Sequence, residues 1–190
     1  MSPYVRLSGV MMCLAAPAVA QDTAISTDLP TFRAEIAGAP VVVTRNGPTC
    51  PPACVQPMQA ADGIATLGEL EVLTFLRGAG ADGTGLLVDI RAPERFTETS
   101  LPGAVNVPAQ TLAVDNPYRA DLLAALGFDP TAANGTPFDL VLFGTGATDP
   151  APAEALRDLL SAGYPADRLH YYRAGLDGWV ALGLSTEPGT

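Results

Sequence analysis

Apolar residues in this chain fall into short unbroken runs that alternate with stretches of helical periodicity. Leu86 to Ile90, apolar but for Asp89 and preceded by a Gly-rich turn, and Leu140 to Phe143, which runs into Gly144, have the pattern of central parallel strands covered on both faces. Ala104 to Val107 and Arg168 to Tyr172 read as two more short strands. Between them lie helices. Thr66-Leu67-Gly68-Glu69 has the Thr-x-x-Glu spacing of a capping box, and Leu70, Val72, Leu73 and Leu76 follow at helical spacing until Gly78 and Gly80. Asn116 to Leu126 places Leu122, Leu123 and Leu126 on one face and stops at Gly127. Ala151 to Ser161 buries Ala155, Leu156, Leu159 and Leu160 and ends before Gly163, and Leu176 to Leu182 closes the series. Alternation at this spacing predicts a three-layer α/β/α domain around a central parallel sheet. Such sheets bind ligands beyond the carboxyl ends of their strands. The turn after Phe143, Gly144-Thr145-Gly146-Ala147-Thr148-Asp149, lies at such an end and carries no nucleophile stronger than a threonine hydroxyl.

The first sixty residues follow a different pattern. Arg6, the apolar stretch Leu7 to Pro17 and the Ala18-Val19-Ala20 site compose a signal peptide over residues 1–20, cleaved near Ala20-Gln21. Cys13 as a lipidation site is the rival reading, but Met12 stands where a lipoprotein signal needs a small residue. Export to a periplasm or to the exterior is the expectation. Residues 21–62 then read as an irregular N-terminal extension. Gln21 to Leu29 is a polar leader, and Phe32 to Ile36 and Val41 to Thr44 are candidate short strands, with Gly38-Ala39-Pro40 breaking any helix between them. Residues 45–62 hold four prolines and no long apolar run. The folded domain is expected over 63–187.

Composition narrows the partners. With 48% apolar and 16% charged residues, 190 residues suffice for one core of ordinary size. All ten cations are arginines, and the net charge is −10, or −11 once Arg6 leaves with an acid-free leader. Such a surface repels nucleic acid and anionic lipid. No segment after the leader reaches the roughly 18 apolar residues of a membrane span.

Three ordered motifs resemble those of rhodanese-like sulfurtransferase domains. Leu86-Leu87-Val88-Asp89-Ile90-Arg91-Ala92-Pro93-Glu94 followed by Leu101-Pro102-Gly103-Ala104-Val105-Asn106-Val107-Pro108 is similar to the family's first signature. That signature is an apolar strand, Asp-x-Arg, an acid, then Gly-His-Ile-Pro-Gly-Ala-x-Asn-Ile-Pro. Arg173-Ala174-Gly175-Leu176-Asp177-Gly178-Trp179 resembles its closing Gly-Gly-x-x-x-Trp segment, so the likeness runs from about Thr66 to Thr186. It implies the rhodanese-like α/β/α fold, with Asp89 and Arg91 supporting the active loop by ion pairing and hydrogen bonds.

The resemblance also implies what the loop lacks. In active members the strand leads into Cys-x-x-Gly-x-Arg-Ser/Thr, whose amides and following helix stabilise a thiolate or persulfide. Aligned on Phe143, the cysteine position is Gly144, the loop glycine is Ala147, the arginine is Asp149 and the hydroxyl residue is Pro150. Asp149-Pro150 reads instead as a helix cap followed by proline in the first turn, with a carboxylate that repels thiosulfate. Gly144, without a side chain, leaves room for a thiol arriving from elsewhere. Phosphatases related to this fold need the same cysteine.

Cys50 and Cys54 are the two cysteines left in the mature chain, in Pro48-Thr49-Cys50-Pro51-Pro52-Ala53-Cys54. In an oxidising compartment they read as a local disulfide. The alternatives are a redox-active or sulfur-carrying dithiol and a soft-metal site, for which His170 is the other nitrogen candidate but lies far off in sequence. No metal and no cofactor is expected. Gly144-Thr145-Gly146 lacks the third glycine and lysine of nucleotide loops. His170 sits in an apolar strand pattern as a hydrogen-bonded strand residue. Ser161 and Ser185 have no nucleophile-elbow context, Thr145 and Thr148 no visible base, and Trp179 and the adjacent tyrosines read as core. Two functions remain. One is a binding or regulatory module around residues 144 to 149, without thiosulfate sulfurtransferase activity, for an unidentified protein partner or small sulfur compound. The other is a sulfurtransferase, thiol-redox or sulfur-carrier protein in which Cys50 and Cys54, delivered by the Pro-rich arm, replace the missing loop cysteine.

Overall fold

The computed structural model describes residues 23–129 and 135–190. The predicted leader and its cleavage site lie outside them. The first described element is a hairpin of β1 (Phe32–Ile36) and β2 (Ala39–Val43), joined by Ala37 and Gly38, both at positive φ, as a tight two-residue hairpin turn requires. The second strand begins two residues earlier than expected, because Pro40 lies within it opposite Glu35. The register puts Phe32, Ala34, Ile36, Ala39, Val41 and Val43 on one face, so that face is wholly apolar and largely exposed.

The domain proper is built on five parallel strands in the order β3 (Ala65–Thr66), β7 (Leu169–Tyr171), β6 (Asp139–Phe143), β4 (Gly85–Asp89) and β5 (Ala104–Asn106). The two longest of the five, β4 and β6, are central and buried almost throughout, as their apolar runs predict. Alternate residues serve opposite layers. Val88, Leu140, Leu142, Leu169 and Tyr171 face a core closed by α3 (Ala109–Leu112), α4 (Arg119–Ala125) and α5 (Ala151–Ser161). Leu87, Val141, Phe143 and Tyr172 face α1 (Glu69–Phe75) and α6 (Gly175–Ala181). This is the expected α/β/α architecture. The span of α5 coincides with its prediction, and Leu156 and Leu159 are fully buried there, worth about 2 kcal/mol each in transfer from water.

The first core helix differs in detail. It starts after Gly68, whose N–H donates to the Glu71 carboxylate, while Thr66 is in β3 and donates its hydroxyl to the Met58 carbonyl. The sequence box therefore lies two residues early, because pairing of Ala65 and Thr66 with β7 holds them extended. Val72 is the fully buried residue of this helix, whereas Leu70 is 73% exposed. A π-helical turn follows at Leu76–Gly80. The short helices α2 (Pro93–Glu98) and α3 were not anticipated, and the helix expected from Asn116 begins at Arg119.

Candidate functional site

At the carboxyl end of β6 the chain turns through Gly144 to Asp149 and enters α5. One carboxylate organises that turn. Asp149 Oδ2 accepts the Thr145 N–H at 2.9 Å and Oδ1 accepts the Ala151 N–H at 3.0 Å, while the Asp149 N–H donates to the Gly146 carbonyl at 3.0 Å. Asp149 thus takes up the Ala151 N–H at the start of α5, where the cap position itself is Pro150, and locks the loop across its mouth. A Cβ placed on Gly144 would sit 2.3 Å from Asp149 Oδ2 and 2.9 Å from Pro152 Cγ. The space at Gly144 is therefore filled, and the expectation that it receives an incoming thiol is corrected: the acid that replaces the family's arginine folds back into it.

The loop's carbonyls are also committed. Leu176 and Asp177 donate their N–H groups to Gly144 O and Thr145 O at 3.1 and 2.8 Å, so the start of α6 is satisfied by the loop. Gly175 makes this approach possible: it has φ +59°, and a Cβ there would meet Gly144 O at 2.5 Å. Ala147 O accepts the N–H of Gln56 at 3.0 Å. Gln56 belongs to the Pro-rich arm, and its carbonyl receives both Nε and Nη2 of Arg173 at 3.0 and 2.8 Å. Arg157 Nη1 donates to Ala60 O further along the same arm. The arm thus lies against the loop, held by two guanidinium groups. Sequence reasoning did not single out Gln56, Arg157 or Arg173. The one available signal was an arginine directly before the closing Ala-Gly segment.

Between the arm and the start of α5 opens a cleft of about 500 Å³ whose walls include Asp28, Pro51, Cys54, Gln56, Pro150 and Glu154. Cys50 and Cys54 form a disulfide, with Cα atoms 4.6 Å apart. Cys54 is 7% exposed and Cys50 is more open. Among the described residues no group of three or more His, Cys, Asp or Glu side chains converges as metal ligands would.

Asp89 and Arg91 pair at the end of β4, as the family resemblance implies. Arg91 Nη2 lies 2.6 Å from Asp89 Oδ2 and Arg91 Nε 2.9 Å from Oδ1, and the aspartate is completely buried. Ser100 Oγ donates to the same carboxylate, Arg91 Nη2 also reaches the Thr99 carbonyl, and Asn106 Nδ2 bridges the carbonyls of Asp89 and Arg91. These bonds brace the 99–106 segment. That is a correction to their expected role as direct supports of the 144–149 loop; the Ile90 N–H donates to the Phe143 carbonyl, at the strand end before that loop. His170 also differs from expectation. Its Nδ1 is buried without a partner and its ring meets Phe75 edge-on, at a centroid distance of 6.3 Å. Burial holds its pKa below the usual value, with Asp139 and Asp167 opposing.

This fold with this site defines a class. The family model of the rhodanese-like domain matches residues 73–182, and the chain belongs to that family, which is related to the sulfurtransferases. No curated protein matches it. Among solved structures it is similar to a protein from Lactobacillus plantarum at 22% identity, with a TM-score of 0.45, covering 65% of this chain and 87% of that one. It is also similar to the thiosulfate sulfurtransferase of Pseudomonas aeruginosa, at 24% identity and a TM-score of 0.48, over 70% of this chain but 22% of that longer one. The human single-domain sulfurtransferase TSTD1 shares 22% identity over 64% of this chain and 97% of its own, with a TM-score of 0.41.

Proposed function

We propose that this rhodanese-like domain carries out no thiosulfate sulfur transfer at its β6–α5 loop and serves, outside the cytoplasm, as a binding or regulatory module for a protein partner or a small sulfur compound. The observation that carries the reading is the Asp149 carboxylate. It occupies the space beside Gly144 that a nucleophile's side chain would need, and it takes up the Thr145 and Ala151 amides. A persulfide anion there would meet a fixed negative charge in place of a cationic helix start. The binding surface is the cleft between the arm and α5, because Gln56 covers Ala147. The test is the transfer of sulfur from thiosulfate to cyanide by the purified chain, in reduced and oxidised forms. The expected rate equals that without protein, and turnover that persists in a Cys50→Ser, Cys54→Ser double variant would refute the reading.

A second reading is favoured by one contact. The Gln56 to Ala147 hydrogen bond brings the cysteine arm to the loop, as a sulfur-handling or thiol-redox role for Cys50 and Cys54 requires.

A further inference from the structure

The Cys50–Cys54 bridge spans four positions within one arm and ties that arm to nothing else. What holds the arm to the domain is Ala60, packed into the larger core at the arm's far end, and hydrogen bonds from Arg173, Arg157 and Gln56. A bridge so short constrains the unfolded chain weakly, and the domain's two cores lie elsewhere. It is also placed for access. Cys54 forms part of the cleft wall, and Cys50 is the more open sulfur-bearing residue.

We infer that the Cys50–Cys54 disulfide is a thiol–disulfide exchange site that oxidises neutral or cationic thiols entering the cleft beside α5. The inference deepens the second reading above and rests on it. A substrate thiolate attacks Cys50 Sγ; the bond between the two sulfurs breaks, and its electron pair leaves on Cys54 Sγ, which takes up a proton. A mixed disulfide now joins the substrate to Cys50. A second substrate thiolate attacks the substrate sulfur of that mixed disulfide, Cys50 leaves as a thiolate and is protonated, and the two substrate thiols depart as a disulfide. Two thiols lose two electrons and two protons, and the cysteine pair gains them. Cys54, nearly buried, is the sulfur that leaves in the first exchange. Selection follows from charge. Asp28 and Glu154 line the cleft that Cys54 bounds, in a chain of net charge −10, so an anionic thiol approaching the adjoining Cys50 sulfur is repelled.

The experiment measures reduction of the oxidised chain by cysteamine and by mercaptoacetate, with thiols at Cys50 and Cys54 counted by alkylation and peptide mass. The same chain unfolded in urea supplies the intrinsic ratio of the two reagents. At low ionic strength the folded protein should prefer cysteamine about tenfold beyond that ratio, the preference should shrink in roughly 1 M salt, and Glu154→Gln should weaken it. Offered cystamine, the disulfide of cysteamine, Cys54→Ser should form a mixed disulfide on Cys50 with release of one cysteamine, whereas Cys50→Ser should react about tenfold more slowly at Cys54. A disulfide that yields only when the domain unfolds overturns the inference together with the second reading. Reduction in the folded state without charge preference, or faster trapping at Cys54, overturns the inference alone. Neither result touches the proposal that the loop itself transfers no sulfur.

Discussion

Replacing Gly144 by alanine tests whether Asp149 owns the space at the end of β6. The new Cβ would lie 2.3 Å from Asp149 Oδ2 and 3.1 Å from its Cγ, a separation no relaxed structure tolerates, so the carboxylate must swing away. Doing so releases the Thr145 and Ala151 amides. Two charge-assisted hydrogen bonds at a half-exposed helix start are worth about 1 kcal/mol each, so Gly144→Ala should cost about 2 kcal/mol. Asp149→Ala removes the same bonds and should cost about 1 to 2 kcal/mol. Once the carboxylate is gone, the atom nearest to an alanine Cβ at 144 is Pro152 Cγ at 2.9 Å, a contact that a small ring shift relieves. The double variant should therefore lose about 2 kcal/mol, not the sum of the two. The expected coupling is about 1.5 kcal/mol.

Urea unfolding of the oxidised protein, with the m-value held common across the four chains, supplies the cycle. Additive losses, with coupling below about 0.5 kcal/mol, would mean that Asp149 does not fill the site. The proposal of a loop closed against a nucleophile would then lose its support.

Other perturbations have equally definite outcomes. Arg91→Met leaves Asp89 fully buried without its partner and should cost about 3 to 5 kcal/mol by urea unfolding, while a loss under 1 kcal/mol would show the pair to be dispensable. Reducing the Cys50–Cys54 bridge should lower stability by at most about 2 kcal/mol, since the closed loop is so short. Amide exchange should then quicken in residues 45–60 and stay unchanged in β4 and β6; accelerated exchange in those strands would refute a bridge confined to the arm. His170 has a folded-state pKa below its usual value of 6.5 because burial disfavours the charged ring. Its contribution to stability is therefore complete above about pH 6.5 and declines as pH falls through and below that value, when the unfolded chain binds the proton first. Unfolding curves between pH 7.5 and roughly 5 should show a steeper acid loss in the wild-type chain than in His170→Gln, and parallel curves would deny the buried neutral ring.

What was legible in the sequence follows from how many independent signals converged at each place. Leu86 to Ile90 and Leu140 to Phe143 are strongly apolar runs, interrupted only by Asp89, and their burial on both faces leaves one reading. Ala151 to Ser161 has periodicity, an aspartate before it and a glycine after it, so both its ends and its face were recoverable. Thr66 failed because a two-residue strand pairing outweighed a local capping pattern. The helices α2 and α3 are too short to show a periodicity. The loop's departures from the family motif could be read, but not their consequence. Only distances show that the aspartate turns back onto Gly144, or that Asp89 and Arg91 brace residues 99–106.

The changes at this site form one arrangement and depend on one another. With no side chain at 144, the Asp149 carboxylate can fold over the turn and accept Thr145. With Thr145 and Gly144 carbonyls given to α6, the Ala147 carbonyl is left at the surface, and Gln56 donates to it. Gln56 in turn stays because Arg173, carried by the segment that leads into α6, binds its carbonyl twice. The cationic group that a family member would set inside the loop is here outside it, gripping the extension. Arg173→Ala should therefore loosen the arm without unfolding the sheet, since its bonds run to residue 56 and none of its partners belongs to a core cluster. Limited proteolysis should then cut within residues 45–62 while the fragment from 63 onward stays intact. Unchanged resistance of the arm would show that the extension is held without Arg173, and that the loop's closure owes nothing to it.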